Sequence, residues 1–530
     1  MKKPLEVLKH YPDHDYTLCG ALESRARHDP QRPFMLHGGR TWSWHEFADT
    51  VGKAARVLAA RGIVKGGRVG VMARNSDGHI VMLFALARIG AIMVPVNPEF
   101  GVEETRYVLH HAQVSGVVAG SDALDTAREA CKGLKVEPWF VLLDAGRHDV
   151  PLLADLIARA PDLALPDGAA DDTCLIVYTS GTTGFPKGAM HSQKSFVTGG
   201  EAFVQRVYLQ DDDRVMIVLP LFHINAMFYS VAGTLAAGCR MLIINRFSAS
   251  TFWQTVVDHG VTEVNIIEAI GTILKNRPRS EFRPGHKLRK VYGVRESVAD
   301  CFRDDFGVPH GIGGYGMTEI PGVTCNPFEG PQKKGSMGPI GRHPDPARPW
   351  AQCRIVDDAG RDVGVGEEGE LIVKTPIIMQ GYYRDPEQTR EAFRDGWFLT
   401  GDLVKRDADG YFFFVTRKKD IIRRRGENIA GAELDRVIGA HPAVHEAAAI
   451  PVPAELGEDE ILVAVVLKPG HSANADDIAQ WCRERLAPMK VPRYVLFVDE
   501  LPHTPTHKVA KAVLRRDTTL RARAVDLAAA

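Results

Sequence analysis

The sequence lacks several features that would place it in a specialised class of protein. Its 65 basic and 66 acidic residues leave a net charge of −1 at pH 7, so neither a nucleic acid nor an anionic membrane is indicated as a partner. The eight cysteines are scattered and form no CxxC pair. This spacing favours a reducing compartment and argues against a disulfide scaffold or a zinc site.

Long apolar segments are also missing. The amino terminus, 1–6, contains no apolar stretch of the kind found in secretory signals. A candidate membrane span, 81–96, is interrupted by Arg88 and Gly90, whereas a spanning helix needs roughly twenty apolar residues. The sequence therefore predicts a cytoplasmic protein.

What the sequence does contain is typical of a globular protein with at least two domains. It has 530 residues, of which 45% are hydrophobic and 25% charged. Across the first half, short apolar runs such as 68–73 and 92–94 alternate with helical patterns such as 80–88. This alternation predicts an α/β fold in which doubly wound parallel sheets form a large amino-terminal domain.

The sequence pattern changes from about Gly335, where short runs of alternating apolar and polar residues follow turns rich in glycine and proline. A hairpin turn at 407–410 supports a β-rich subdomain over about 335–416. The basic run 417–425 is, on composition, typical of a solvated linker. The segment after it predicts a small α+β carboxy-terminal domain, 419–530, following an amino-terminal domain of 1–418.

One loop, 178–188, packs hydroxyls, glycines and Lys187 directly after the apolar run 174–177. Backbone N–H groups, hydroxyls and an ammonium suit a polyphosphate, and glycines let the backbone approach its oxygens. The spacing is not that of the usual P-loop, which needs Gly, four residues and then Gly-Lys-Ser/Thr. By itself, such a tract is as often a solvated turn.

A second glycine motif, 311–316, satisfies G-x-G-x-x-G but lacks the context of a dinucleotide fold. The preceding strand is poor, and Pro321 would break the following helix. The adjoining residues are more informative, because Tyr315, Thr318 and Glu319 could stack a base, contact a phosphate and hold Mg²⁺.

Two further segments complete a candidate nucleotide site. Asp402 follows a glycine turn and suits two ribose hydroxyls, and Arg417 lies across the predicted hairpin. Lys508 lies on a proline-stiffened loop, where a lysine is usually only a surface charge.

Six blocks resemble the adenylate-forming acyl-CoA synthetases, in order and in approximate spacing, over nearly the whole chain. The residues at 247–253, 316–320, 426–428 with 433–434, and 440–442 resemble the crotonobetaine/carnitine-CoA ligase branch. The resemblance implies that ATP activates a carboxylic acid as an acyl-adenylate, with release of pyrophosphate, and that the acyl group then passes to coenzyme A. The six blocks are 178–188, 219–225, 315–319, 396–403, 417–433 and 501–508.

The resemblance also assigns roles to individual residues. Lys508 would bridge the attacking carboxylate and the α-phosphate, Thr318 would contact that phosphate, and Glu319 would bind Mg²⁺. Lys419 would be the hinge about which a mobile small domain rotates between the two steps. The residues implied for ATP and coenzyme A are Thr179, Ser180, Gly181, Thr182, Thr183, Gly184, Lys187, Gly314, Tyr315, Gly316, Thr318, Asp402, Arg417, Gly426 and Lys508.

Four positions depart from the family pattern. Arg295 and Glu296 replace small residues before the adenine site, Arg425 precedes Gly426, and His507 precedes Lys508. None of these changes removes a catalytic group, so activity is expected to survive while the adenine and coenzyme A contacts differ in detail.

The carboxylic acid itself is not identified by the sequence. A carboxylate in the apolar run 264–270 is costly unless it is paired, so we consider that Glu268 or Glu296 faces a cationic group of the acid, such as trimethylammonium. An internal salt bridge, for instance from Glu268 to Arg295, is the alternative. The candidate pocket residues are His223, which the resemblance makes a gate to the thiol tunnel, Asn225, Phe228, Glu268, Glu296 and Ile320.

Two other functions stay open. The acyl group could pass to the phosphopantetheine of a carrier protein, or the protein could be a catalytically silent nucleotide-binding scaffold. A stand-alone ligase is favoured because no carrier segment is appended and the predicted catalytic residues are present. The oligomeric state is left open, a homodimer included.

Overall fold

The computed structural model describes residues 1–144, 149–179, 186–424, 427–453, 459–504 and 508–528. The chain divides into two compact units, of which the first comprises 1–179, 186–352 and 374–396. The described part of the second unit comprises 353–373 and the residues from 397 onward. The domain boundary predicted after residue 418 is not tested by this division and stays a prediction.

The first unit contains two seven-stranded sheets. In one of them all neighbouring strands are parallel, except for an antiparallel pair at one edge. Because the strands are parallel, their carboxyl ends meet at the side of the sheet where ligands bind in such folds. From that edge, the strands are Arg40–Ser43, Pro33–His37, Arg240–Ile243, Arg214–Ile217, Glu263–Asn265, Lys290–Tyr292 and His310–Ile312.

The other sheet has a parallel part and an antiparallel part. The strand before the glycine-rich loop pairs with the strand after it, and Thr179 lies opposite Lys187. The doubly wound α/β prediction is confirmed. The strands in spatial order are Gly381–Tyr382, Lys187–Ser192, Thr173–Thr179, Ile92–Val96, Arg68–Met72, Gly116–Ala119 and Trp139–Leu142.

Helices of the first unit pack between and around these sheets, and two of them, Asp77–Arg88 and Gln193–Val207, are buried along most of their length. The serine that precedes each of the two accepts a hydrogen bond from a first-turn N–H group, which fixes where the helix begins. The remaining helices are Pro4–Leu8, Leu18–His28, Trp44–Ala60, Val102–Ala112, Leu124–Cys131, Leu153–Ala158, Ala232–Ala237, Phe252–Asp258, Glu268–Lys275, Glu296–Asp304 and Pro386–Ala392, with a π-helix at Ala226–Val231 and a 3₁₀ turn at Arg279–Glu281.

The second glycine motif forms no strand–helix unit. Residues Gly314–Met317 form an antiparallel hairpin with Ile320–Cys325. The sequence-based rejection of a dinucleotide fold is therefore confirmed at this position, since the phosphate-binding motif of that fold must open a helix.

The second unit contains an antiparallel β-rich part and a smaller α+β part. The first includes the strands Gln352–Val356, Gly369–Lys374, Trp397–Arg406 and Phe412–Arg417, the last two joined by the predicted turn at 407–410. The second has the sheet Val444–Pro453, Asp459–Leu467, Tyr494–Phe497 and Val525–Asp526, the paired strands Ile421–Arg424 and Glu427–Ala430, the helices Gly431–Gly439, Ala475–Arg483, Lys511–Arg516 and Leu520–Arg523, and 3₁₀ turns at Lys418–Asp420 and Pro488–Lys490.

Two side chains of the basic run, Lys418 and Arg424, are paired with carboxylates rather than solvated as composition indicated. Arg424 is only 8% exposed, its Nε lies 2.8 Å from Glu460 Oε2, and its Nη1 donates to the carbonyl oxygens of Met489 and Val491 at 2.8 Å. Lys418 forms ion pairs with Asp358 and Glu370. The run therefore anchors strands of the second unit, an arrangement that composition alone does not reveal.

Two global features complete the fold. All eight cysteines are free, and every one except the half-buried Cys353 is buried. Among the described residues, no helix is both long and apolar enough to cross a membrane.

Candidate active site

The predicted phosphate loop is held at both ends by paired strands. Thr179 Oγ1 lies 3.4 Å from the carbonyl oxygen of Lys187, to which it donates. Ser180, Gly181, Thr182, Thr183 and Gly184 lie outside the described residues. The paired strands thus fix the two ends of the loop and bring Lys187 to its base.

Lys187 and Glu319 converge on one side chain, Tyr382. The Lys187 ammonium lies 5.1 Å from the centre of the Tyr382 ring and also contacts the Gln388 amide. The Tyr382 hydroxyl donates a hydrogen bond of 2.8 Å to Glu319 Oε1. Burial and then the Glu319 carboxylate raise the pKa of Tyr382, which keeps its hydroxyl protonated and able to donate.

Glu319 itself is 6% exposed. It lies in the turn of the hairpin, and its carbonyl oxygen accepts a 2.8 Å hydrogen bond from the N–H group of Met379. A buried carboxylate held in this way presents hard oxygen donors, which Mg²⁺ prefers. Tyr382 was not singled out from the sequence, because it lies far from Glu319 along the chain.

Thr318 is positioned by a second residue that sequence reasoning missed. The Nε2 atom of buried His191 lies 2.7 Å from the Thr318 carbonyl oxygen, so Nε2 carries the proton and donates. Burial lowers the pKa of His191 to about 4, so the imidazole is neutral near neutral pH. The His191 ring meets Phe228 edge-on at 4.9 Å.

The hairpin beside Thr318 requires glycine at two predicted positions. A Cβ atom on Gly316 would lie 2.2 Å from the Gly322 nitrogen, and one on Gly314 would lie 2.8 Å from the Thr324 carbonyl oxygen. Tyr315 lies between them, opposite Thr324. The tight backbone therefore displays Tyr315 and Thr318 on one short element.

Three of the predicted gate and pocket residues lie in or just before a π-helix, Ala226–Val231. His223 lies in the preceding turn, where its N–H group donates to the Pro220 carbonyl oxygen at 3.0 Å. Asn225 precedes the π-helix, and Phe228 is fully buried within it. π-Helical turns are rare and frequently occur at functional sites.

The two carboxylates considered for substrate recognition both have protein partners. Glu268 Oε2 accepts a 2.7 Å hydrogen bond from the backbone N–H group of Arg295, rather than the salt bridge to its guanidinium that we considered. Glu296 forms an ion pair with Lys334. Ile320, by contrast, is a buried apolar residue at the start of its strand.

In the second unit, the predicted ribose-binding pair is built across two strands. Asp402 lies directly opposite Arg417, and the Arg417 Nε atom is 3.3 Å from Asp402 Oδ1. The carboxylate of Asp402 is 4% exposed and the side chain of Arg417 is 44% exposed. The pair therefore combines a fixed acceptor with a guanidinium open to solvent.

Lys508 is hydrogen-bonded to Thr504 through its backbone. The Thr504 N–H group donates to the Lys508 carbonyl oxygen at 2.7 Å, and the Lys508 N–H group donates to Thr504 Oγ1 at 3.2 Å. The Lys508 side chain is exposed. Gly426, Arg425 and His507 lie outside the described residues, and Lys419 lies in the 3₁₀ turn Lys418–Asp420.

Comparison with known proteins agrees with this chemistry. The AMP-binding enzyme family model matches residues 22–383, and the AMP-binding enzyme C-terminal domain model matches 433–508. A sulfoacetate–CoA ligase from Cupriavidus necator is 34% identical over 510 residues, which cover 94% of this chain and 97% of the relative. A crotonobetaine/carnitine–CoA ligase from Salmonella paratyphi A is 30% identical over 498 residues, which cover 90% of this chain and 93% of that relative.

A solved structure of a related enzyme also matches this chain over most of its length. ATP-bound MatB from Rhodopseudomonas palustris matches with a TM-score of 0.83 and 28% identity, covering 94% of this chain and 98% of MatB. The predicted likeness to crotonobetaine/carnitine-CoA ligases is confirmed, although the sulfoacetate ligase is the more similar of the two relatives. The chain belongs to the AMP-binding enzyme family and is an acyl-CoA ligase that uses ATP and coenzyme A.

Proposed function

We propose that this protein activates its acid with Mg·ATP at a site to which Lys187, Thr318 and Glu319 contribute. The observation that carries the proposal is the convergence of Lys187 and Glu319 on Tyr382. A cation for the terminal phosphates and a carboxylate for the metal are thereby held side by side, as a bound metal–polyphosphate requires.

The remaining roles follow from the same proposal. The loop Thr179–Gly184 and Lys187 bind the β- and γ-phosphates, Tyr315 stacks on adenine, and Asp402 with Arg417 binds the ribose. Glu319 would hold Mg²⁺, which when bound neutralises phosphate charge. Gly314 and Gly316 keep the backbone bare next to the nucleotide.

Lys508 acts in the first half-reaction. Two anions, the acid carboxylate and the α-phosphate, must approach each other, and a cation spanning both stabilises the charge that develops between them. The carboxylate oxygen forms a bond to the α-phosphorus, the bond to pyrophosphate breaks, and the acyl-adenylate results.

The second half-reaction transfers the acyl group from AMP to the thiol of coenzyme A. We propose that the small domain, 419–530, rotates about Lys419 to bring Gly426 to the thiol tunnel, with His223 as the gate. A hinge of this kind absorbs the rotation in a few backbone angles. We further propose that the enzyme works in the cytoplasm, and a homodimer is consistent with the proposal.

The relatives indicate two classes of acid. Sulfoacetate carries a second anionic group, whereas crotonobetaine and carnitine carry a quaternary ammonium. Since Glu268 and Glu296 both have protein partners, neither of them supports an acid that carries a cation.

The first experiment measures pyrophosphate and AMP formation over a panel of acids, with and without coenzyme A. The panel includes sulfoacetate, malonate, short aliphatic, aromatic and trimethylammonium acids. We expect complete turnover to require coenzyme A and to give a thioester. Adenylate formation that is indifferent to coenzyme A would indicate a carrier-protein acceptor, and no nucleotide chemistry with any acid would leave only a silent scaffold.

A further inference from the structure

A buried arginine, Arg206, lies in the last turn of helix Gln193–Val207. It is 4% exposed, although a guanidinium remains charged in proteins. Burying a charge is costly unless the charge is paired. Within the described part of the chain, no carboxylate forms an ion pair with Arg206.

Only part of its guanidinium is satisfied by the protein. Nη2 donates to the carbonyl oxygen of Gly322 at 2.6 Å and approaches that of Pro321 at 3.5 Å. Nη1 is buried and has no partner of good hydrogen-bond geometry among the described residues, although the guanidinium also interacts with the hydroxyls of Tyr292 and Tyr229. The geometry therefore leaves one donor and a full positive charge in the interior.

The surroundings of this charge are aromatic and hydroxylated. The guanidinium carbon lies 5.3 Å from the ring of Tyr229 and 5.7 Å from that of Trp350. Tyr229 meets Tyr292 edge-on at 5.3 Å, and Tyr292 is the last residue of its parallel strand. Arg206 thus lies at the carboxyl ends of the strands, where ligands of such sheets bind.

A glycine makes room for the guanidinium. Gly322 has a φ angle of +80°, and a Cβ atom there would lie 1.9 Å from Arg206 Nη1. Any other residue at 322 would have to displace the arginine. The hairpin and the arginine are therefore fitted to each other.

Arg206 also lies next to the proposed acyl pocket. Its acceptors, Pro321 and Gly322, directly follow Ile320 on the strand that leaves Glu319. Its aromatic neighbour Tyr229 directly follows Phe228 in the π-helix. Four extended residues span at most about 14 Å, so Thr318, where the reacting carboxylate is proposed to lie, is within that distance of Gly322, whose carbonyl oxygen binds Arg206.

We infer that Arg206 binds a second anionic group at the far end of the acid, and that the substrate is a short acid carrying a distal carboxylate or sulfonate. The inference rests on the proposed function, because it uses the same acyl pocket. The bound anion supplies the negative charge that the neutral hydroxyls of Tyr229 and Tyr292 beside the buried guanidinium do not.

The test compares dianionic acids with matched acids that lack the second charge. For wild type we expect kcat/KM for sulfoacetate or malonate to exceed that for monomethyl malonate and propionate by at least about a hundredfold. Sulfoacetate and malonate, compared with each other, distinguish a sulfonate from a carboxylate. In Arg206→Met the preference should collapse to within about tenfold.

The readout is a ratio between two acids within one preparation, so it does not depend on how much of a variant folds. Arg206→Lys, which keeps the charge and loses the planar fork, should give an intermediate ratio. Arg240→Met, a change at the amino end of a strand, should leave the ratio unchanged.

Two outcomes would overturn the inference but not the proposed ligase function. One is a wild-type enzyme that prefers monoanionic acids, and the other is a folded Arg206→Met variant in which the ratio of kcat/KM between dianionic and monoanionic acids is unchanged. A wild-type enzyme that releases no pyrophosphate with any acid would instead overturn the proposed function, and the inference with it.

Discussion

The two units hold their proposed catalytic groups in different ways. In the first unit, Glu319 is buried and bound to Tyr382, and Thr318 is bound through its carbonyl oxygen to the interior His191. In the second unit, the side chain of Lys508 is exposed. The residues proposed to bind the α-phosphate and Mg²⁺ are thus held in the interior of the first unit, whereas the residue proposed for the first half-reaction has an exposed side chain.

Replacing Lys508 should produce the largest effect. In Lys508→Ala we expect adenylate formation to fall by about a hundred- to a thousandfold, because the cation that stabilises the transition state is lost. Thioester formation from supplied acyl-adenylate should be retained, since it does not use this cation. Separate measurements of pyrophosphate release and of thioester formation test this prediction. An equal loss in both would contradict the assignment of Lys508 to the first half-reaction alone.

Replacing Glu319 should produce the next largest effect. Glu319→Gln keeps the shape of the side chain and its place beside the Tyr382 hydroxyl, but removes the charge that Mg²⁺ needs. We expect adenylate formation to fall on the order of a hundredfold and to recover partly as Mg²⁺ is raised. A Mg²⁺ dependence identical to that of wild type would contradict the assignment.

A smaller effect is expected from Tyr382, because it acts by positioning Glu319. In Tyr382→Phe the ring beneath Lys187 is kept and the hydrogen bond to Glu319 is lost. We expect about a tenfold weakening in apparent Mg²⁺ affinity. Tyr383→Phe, a change at the neighbouring residue, serves as the control. If the loss appeared in kcat alone at all Mg²⁺ concentrations, the positioning role would be wrong.

The smallest effect is a pH dependence of stability that comes from His191. Its pKa is lowered from 6.5 to about 4 in the folded protein, so between these values the unfolded chain binds a proton that the folded chain does not. The contribution of His191 to the free energy of unfolding is therefore fully present above the unfolded pKa and is lost as the pH falls.

Between these two pKa values, we expect His191 to lower the free energy of unfolding by about 1.4 kcal/mol for each unit by which the pH falls. Denaturant unfolding of wild type and His191→Gln between about pH 7 and pH 5 measures the difference in slope. Slopes that coincide would show that His191 titrates in the folded state much as it does in the unfolded chain.

The sequence allowed much of the fold to be predicted, because the first unit follows local patterns. Apolar runs such as 68–73 and 92–94 became the strands Arg68–Met72 and Ile92–Val96. The helical segment 226–237 is a π-helix followed by an α-helix. A π-helical turn contains one extra residue and leaves the apolar pattern of the segment unchanged, so sequence periodicity could not reveal it.

The candidate site was predictable only where its residues occur in short motifs. Lys187, Thr318, Glu319 and Lys508 lie in such motifs, whereas Tyr382 and His191 reach their partners through the tertiary fold. Arg206 was missed for another reason: a single arginine in a helix is usually solvated. Only the burial of its helix shows that the charge is inside.

The burial of the cysteines has a practical consequence for studying an enzyme that uses a thiol as co-substrate. Burial raises the pKa of each of the eight thiols, and thiolates are the form that reacts with disulfides and alkylating reagents. The folded protein therefore contributes little reactive sulfur of its own. Consumption of coenzyme A can be followed with a colorimetric thiol reagent without first mutating the enzyme, and storage in air should cost it little activity.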